Sequence, residues 1–205
     1  MSIQTRRERE RAEREQLIVK AARELAEAEG WDAVTTRRLA AEIEYSQPVL
    51  YSHFKGKDAI MAAVAVEGCA ELALELRAAR AAATGSRESL AAIGAAYTAF
   101  ARRRPALYDA MFTHMVGLPF ATPQAPPALQ EAFGEILSAV RPVTAPGEDP
   151  GLLTETYWAC LHGLTTLMRS GRLPEKAHDQ RLQLLIDHFA AGTEAGRATT
   201  GRPPA

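Results

Sequence analysis

The chain has 205 residues, of which 47% are hydrophobic, 24% charged and 6% aromatic, enough for one large domain or a small one joined to a larger one with a real core. The formal net charge is −1, and residues 1–60 carry 11 Lys or Arg against 11 Asp or Glu. Bulk charge is therefore excluded as an argument for nucleic-acid binding, and any such reading must rest on where individual charges sit. Abundant alanine favours helix, because alanine gives up no side-chain entropy there, and no alternating β-branched run is long enough for a sheet. The fold class is predicted to be all-α. Cys69 and Cys160 lie within helical apolar patterns and read as small buried hydrophobes. The Arg/Glu-rich start lacks the apolar core of a secretory signal, and no run approaches membrane-spanning length. The expected location is cytoplasmic, with no membrane partner.

In chain order, a first helix covers residues 6–29. Its early turns, RRERERAERE, alternate charge signs and read as a solvated face. Its later turns place Leu17, Ile18, Ala21, Ala22 and Leu25 at helical spacing, and Gly30 ends it. Thr35 is a good N-cap for a second helix running through Ile43, with Leu39, Ala40 and Ile43 inward. A short third helix starts near Ser46 and ends by Phe54; Pro48 fits because the first turn does not need its N–H. After Gly56 a fourth helix runs from Lys57 to about Arg80. Ser86 is expected to cap a fifth helix reaching Arg103, and Pro105 opens a sixth, PALYDAMFTHM. GLPFATPQAPP reads as loop. A seventh helix covers about 126–140, RPVTAPGEDPG is loop, and two helices follow at about 151–170 and 175–192. About nine helices result, with expected domains at 1–56 and 57–193 and a disordered tail at 194–205.

Residues 31–60 are the stretch where residue type and spacing together define a job. Two short helices joined by a tight turn form a helix-turn-helix when the second has a polar N-terminal end and one polar face. Here Val49, Leu50 and Phe54 are the apolar candidates for the inner side, which leaves Gln47, Pro48, Tyr51 and His53 for a DNA groove. Glutamine can make paired hydrogen bonds to adenine, and the Pro48 ring can touch a thymine methyl. Tyr51 and His53 can donate to phosphates. Thr36 and Arg37 at the start of the second helix, and Lys57 at the start of the fourth, are placed for phosphate contact, which gives affinity and register rather than sequence choice.

The run from Thr35-Thr36-Arg37 to Leu39-Ala40, then Gln47-Pro48-x-Leu50-Tyr51-x-His53-Phe54 and Gly56-Lys57-Asp58, resembles the DNA-binding module of the tetracycline-repressor (TetR) family of bacterial transcription regulators. The resemblance implies that Thr36, Arg37, Gln47, Pro48, Tyr51, His53 and Lys57 contact DNA. It also implies an all-helical homodimer, a palindromic double-stranded operator, and a variable C-terminal domain that binds a small-molecule effector. Trp158, His162 and Gly163 in YWACLHGLTTLMRSG are similar to the W…HG signature of one C-terminal subclass. Two positions depart from the family pattern. Glu44 stands where the turn commonly has Gly, which costs about 1 kcal/mol if φ is positive there. Arg38 stands where an acidic residue is frequent, and its charge is expected to offset Glu44.

In the C-terminal region the larger side chains are expected to line an effector cavity or to pack the core. The residues proposed for the cavity are Tyr97, Phe100, Tyr108, Met111, Phe112, Met115, Trp158 and His162, with Met168 nearby and His114 as a further polar handle. Leu153, Tyr157, Leu161 and Leu164, together with Leu182, Leu185, Ile186 and Phe189, form apolar stripes. They read as a four-helix dimer interface once doubled by a two-fold axis, with packing inside one chain as the alternative. His114, His162, His178 and His188 show no ligand spacing with an acidic partner, so neither metal nor cofactor is expected. G-x-S-x-G, H-E-x-x-H, P-loop and G-x-G-x-x-G motifs are all missing, and no enzyme activity is expected. The alternatives are a helical ligand-binding enzyme and an interaction module without DNA.

Overall fold

The computed structural model describes residues 3–114, 117–120 and 122–200. Among them are nine α-helices and no strand: α1 (Ile3–Glu29), α2 (Thr36–Glu42), α3 (Gln47–His53), α4 (Lys57–Ala81), α5 (Ser86–Arg103), α6 (Pro105–Phe112), α7 (Pro127–Val140), α8 (Pro150–Arg169) and α9 (His178–Thr200). The chain divides into two compact units, Met1–Cys69 with Arg104–Ala128, and Ala70–Arg103 with Leu129–Ala205.

In the first unit, α1 buries Ile18, Val19, Ala22 and Ala26. Leu17, expected on that stripe, is 41% exposed, because it sits one residue off the inward face. The early turns are stitched by pairs four residues apart, Arg6–Glu10 at 2.8 Å, Arg9–Glu13 at 3.5 Å and Arg11–Glu15 at 2.8 Å. That is the solvated face the alternating charges predict. Gly30, at φ +83°, ends α1 and leads into a 3-10 turn at Trp31–Ala33. The Trp31 indole N–H donates to the Ala106 carbonyl at 2.7 Å. The Glu27 carboxylate accepts from the Ala106 and Leu107 N–H groups at 3.1 and 3.0 Å. Those N–H groups open α6 and have no partner inside the helix, so Glu27 caps it from α1. Gly68 allows the close approach of α6, since a Cβ there would lie 2.6 Å from Met111 Sδ. These contacts place α6 with the N-terminal elements, unlike the domain boundary expected at residue 56.

In the second unit α5 is central and packs on α8 and α9. Leu90, Ile93, Tyr97 and Phe100 are fully buried. Gly94 makes the packing tight: a Cβ there would meet Leu182 Cδ1 at 2.7 Å and the Tyr157 hydroxyl at 2.9 Å. The Tyr157 hydroxyl donates to the Leu90 carbonyl at 2.8 Å, so its burial leaves no donor unsatisfied. Glu135, only 7% exposed, accepts from Arg77 Nε at 2.7 Å and Arg80 Nε at 2.9 Å, tying α7 to the end of α4. Glu88 accepts from the Thr84 N–H at 3.1 Å; Ser86, read from sequence as the cap of α5, is its first residue. α9 runs to Thr200, beyond the expected end near 192 and into the tail expected to be disordered; residues 201–205 of that tail lie outside the described residues.

Candidate nucleic-acid interface and C-terminal sites

The α2–α3 segment is assembled by local hydrogen bonds. Thr35 caps α2, its hydroxyl accepting from the Arg38 N–H at 3.1 Å. At the far end the chain reverses through Glu44 at φ +58°, and the Tyr45 N–H returns to the Ala40 carbonyl at 2.8 Å. This is a helix ending through a left-handed residue, a position that favours Gly. A glutamate there costs about 1 kcal/mol, so the departure noted in the sequence is a real backbone strain. α3 begins at Gln47 with Pro48 in its first turn. Leu50 is fully buried and anchors the helix.

That anchor decides which side faces out. Gln47, Pro48 and Ser52 are exposed, Tyr51 is 51% exposed and Val49 is 39% exposed. Val49 was expected to face inward; seven residues leave room for one inward stripe, and Leu50 with the His53 side chain occupies it. Thr36 Oγ1 and Tyr51 Oη lie 3.2 Å apart, so the two expected contacts are joined to each other. Arg37 and Lys55 are exposed, and the described residues offer neither an ion-pair partner. Lys55, just after α3, was not among the expected contacts.

Three sequence readings need correction. The His53 side chain is only 7% exposed, with Nδ1 3.4 Å from Glu15 Oε1; it fastens α3 to α1 rather than facing a phosphate. The Lys57 ammonium donates to the Trp31 carbonyl, so part of its donor capacity is used within the unit. Arg38 makes a two-pronged pair with Glu29, Nη1 to Oε2 at 2.7 Å and Nη2 to Oε1. Its hydrogen bond and charge hold the Glu29 carboxyl below its usual range. The Arg38 charge is thus neutralised on α1 and does not offset Glu44.

The residues read as effector-cavity lining divide between the units. Tyr108, Met111 and Phe112 belong to the first, where Tyr108 and Met111 are fully buried and the Tyr108 and Phe112 rings meet edge-on at 5.0 Å. Tyr97, Phe100, Trp158 and His162 belong to the second. There the Trp158 indole N–H donates to the Tyr97 hydroxyl at 3.0 Å, and the Trp158 and His162 rings are 6.5 Å apart. Burial, and then Arg169, lower the His162 pKa. Met115 lies outside the described residues. Two surface grooves of about 320 and 260 Å³ lie elsewhere, along α1 and the α2–α3 turn, and none of these residues lines either.

The expected dimer stripe also needs correction. Tyr157, Leu161, Leu182, Ile186 and Phe189 are all buried within the single chain, because they face α5 or one another. Leu153, Leu164 and Leu185 are half-buried at the edge of that core. The apolar residues facing outward are Leu152 at 63%, Leu167 at 40% and Leu184 at 70% exposed. Leu184 was not among the residues of the expected stripe.

Residues 18–64 match the bacterial regulatory proteins of the tetR family, and residues 90–189 match the tetracyclin repressor-like C-terminal domain. The chain belongs to the TetR family. It is a DNA-binding transcriptional regulator. An HTH-type transcriptional regulator of Mycobacterium tuberculosis is 27% identical over 184 residues, covering 89% of this chain and 82% of that one. The class D tetracycline repressor of Escherichia coli is 46% identical over 50 residues, 24% of this chain and 23% of its own. Among solved structures, a protein of unknown function from Rhodococcus sp. RHA1 superposes with a TM-score of 0.71 at 25% identity, covering 87% of this chain and 94% of that one. A TetR variant from Acinetobacter baumannii AYE, in complex with minocycline, gives 0.60 at 22% identity over 87% and 94%. No helix of the described residues is long and apolar enough to cross a membrane.

Proposed function

We propose that this TetR-family regulator is a repressor that binds a near-palindromic operator as a homodimer and is released by a small-molecule effector. The observation that carries the reading is the outward face of α3, with Gln47, Pro48 and Tyr51 exposed around the buried Leu50. A two-fold dimer sets two such helices in successive major grooves, so the half-sites repeat at about one helical turn. Gln47 reads a base edge; Arg37 and Lys55, with Thr36, Tyr51 and the remaining donors of Lys57, hold phosphates.

The second copy covers the outward stripe of α8 and α9, Leu152, Leu167 and Leu184, with Leu153, Leu164 and Leu185 at its edge. Support comes from their exposure and from Thr156, Ala159 and Gly163, uncharged residues at the same helical register. The effector is taken beside Tyr97, Trp158 and His162, where a hydrogen-bonded aromatic pair offers both an apolar surface and polar handles. A small molecule in complex with the A. baumannii TetR structure supports that class of effector. Release needs an effector that prefers a conformer whose recognition helices are wrongly spaced, with a coupling of about 1–3 kcal/mol.

A mobility-shift assay on the DNA flanking the gene tests the reading. Wild type gives a specific shift, and the Gln47→Ala, Tyr51→Ala double variant loses it. No specific shift with wild type, or an equal shift with the variant, rejects it.

A further inference from the structure

We infer that Arg11 and Glu15, on the N-terminal extension of α1, are positioning residues for DNA reading: Glu15 seats α3 through His53, and the proton on His53 sets how firmly. The inference rests on the proposed base-reading role of α3 and adds what holds that helix in place and what loosens it.

α3 does not hold itself. Its seven residues make about two turns, too few for a helix to persist alone in water. Leu50 is fully buried, whereas Gln47, Pro48, Val49, Tyr51 and Ser52 are exposed. The Tyr51 hydroxyl meets Thr36 Oγ1 of α2 at 3.2 Å. The His53 side chain is 7% exposed, and its Nδ1 lies 3.4 Å from Glu15 Oε1 of α1. The helix is thus seated at three points: Leu50 in the core, Tyr51 on α2 and His53 on α1.

The third point differs from the other two because it depends on charge. Glu15 Oε1 also accepts from Arg11 Nε at 2.8 Å. That bond, and then His53, hold the Glu15 carboxyl below its usual range, so it is ionised wherever histidine titrates. His53 stands in the last turn of α3, where the helix end attracts a cation. A protonated ring is held by both the carboxylate and the helix end; a neutral ring keeps a hydrogen bond at most. Around α3, Arg38 is paired with Glu29 and Lys57 donates to the Trp31 carbonyl. Arg14, Arg37, Glu42, Lys55 and Asp58 are exposed. Glu15 is therefore the charge that His53 meets. Arg11 and Glu15 both precede residues 18–64, the stretch that matches the family, so this seat is built from outside the shared module.

A protein whose reading helix is unseated part of the time binds its site more weakly by that fraction. Deprotonating His53 weakens the seat and lowers the fraction. The seated, DNA-bound state holds the proton more tightly, so affinity for a specific site rises as pH falls through the histidine range. A partly exposed pair of this kind is worth a factor of about two to five. The loss falls on sequence choice, because Arg37 and Lys55, proposed to hold phosphates, lie outside α3.

The test compares full-length wild type, Glu15→Gln, His53→Gln and the double variant. Each is titrated with a duplex selected from a randomised library and with an unrelated duplex, at constant salt, at about pH 6 and about pH 8, either side of the ordinary histidine value. For wild type the selected-to-unrelated affinity ratio is expected to be about two to five times larger at the lower pH. Each single variant is expected to lose that pH dependence, and the double variant to lose no more than either, as for two residues acting as one. Circular-dichroism melts at both pH values verify the folds. Glu15→Gln keeps the side-chain volume at a half-buried position, and it decides alone if His53→Gln melts below the assay temperature. No pH dependence in wild type, a dependence that persists in Glu15→Gln, or a ratio that falls equally at both pH values overturns the inference. A library that yields no preferred duplex overturns the base-reading role on which it rests.

Discussion

α3 and α8 both carry apolar residues on more than one side, but only α3 declares its orientation. α3 has seven residues and one buried anchor, Leu50, so everything a half-turn away must face out. α8 has twenty residues, with Leu161 fully buried on one side and Leu152 and Leu167 exposed on the other. The lesson is that apolar periodicity marks how many faces a helix buries, and not which of them is buried by its own chain. A short helix with one anchor settles the question; a long one striped twice with leucine leaves it to the fold.

The largest effects separate those two faces of α8 and α9. Leu161→Ala empties part of the core and is expected to cost about 2–5 kcal/mol in denaturant unfolding. Leu184→Ala, at a 70% exposed site, is expected to change monomer stability by under about 0.5 kcal/mol and to weaken self-association in sedimentation instead. Equal destabilisation by the two, measured at a concentration where both are monomeric, would mean that the inward and outward stripes have been exchanged.

A smaller effect lies in the α2–α3 turn. Glu44→Gly relieves a left-handed glutamate and is expected to stabilise the first unit by up to about 1 kcal/mol, partly offset by the greater freedom of Gly in the unfolded chain. It also removes a negative charge beside the reading surface, so DNA affinity at low salt rises. A lower melting temperature for the variant would show that the turn is not strained.

The smallest effect is a pH dependence confined to the second unit. His178 is 4% exposed, its Nε2 3.1 Å from Thr98 Oγ1. The Thr98 hydroxyl donates to the Gly94 carbonyl, so His178 supplies the Nε2–H, with Nδ1 buried and unpartnered. Burial, and then Arg102, lower its pKa; Arg181 adds to this, and Asp179 and Glu175 oppose it. An unfolded chain therefore binds the proton more readily than the folded one. Stability is fully present above about pH 6.5, the ordinary histidine value, and falls as the pH drops below it. His162 titrates in the same direction. Unfolding midpoints at pH 7 and pH 5.5 are expected to differ, and His178→Gln is expected to shrink the difference; an unchanged difference would place the dependence elsewhere.

The contrast between α3 and α8 also accounts for what was legible in the sequence. Helix starts and stops were legible wherever a residue has one local job, as with Thr35, Pro48 and Gly30. The all-α class followed from alanine content and the absence of strand patterns. The exposure of Gln47, Pro48, Tyr51 and Arg37 was legible because a short helix with one buried anchor offers its other side chains little to pack against. His53 and Lys57 misled because their partners, Glu15 and the Trp31 carbonyl, are 38 and 26 residues away, and long-range pairing leaves no local trace. Arg38 misled for the same reason. The placement of α6 with the first unit depends on Trp31 and Glu27 meeting Ala106, again a contact across the chain.

The central claim is a division of labour on the first unit, in which Arg37 holds phosphate and the outer face of α3 reads bases. The most direct test measures affinity against salt concentration for wild type, Arg37→Ala and Gln47→Ala on a selected site and on unrelated duplex DNA. Arg37→Ala is predicted to weaken both DNAs alike and to lower the salt slope by about one. Gln47→Ala is predicted to keep the slope and lose about 1–3 kcal/mol on the selected site only. If both variants weaken both DNAs equally with the same slope, α3 is not a base reader and the account fails.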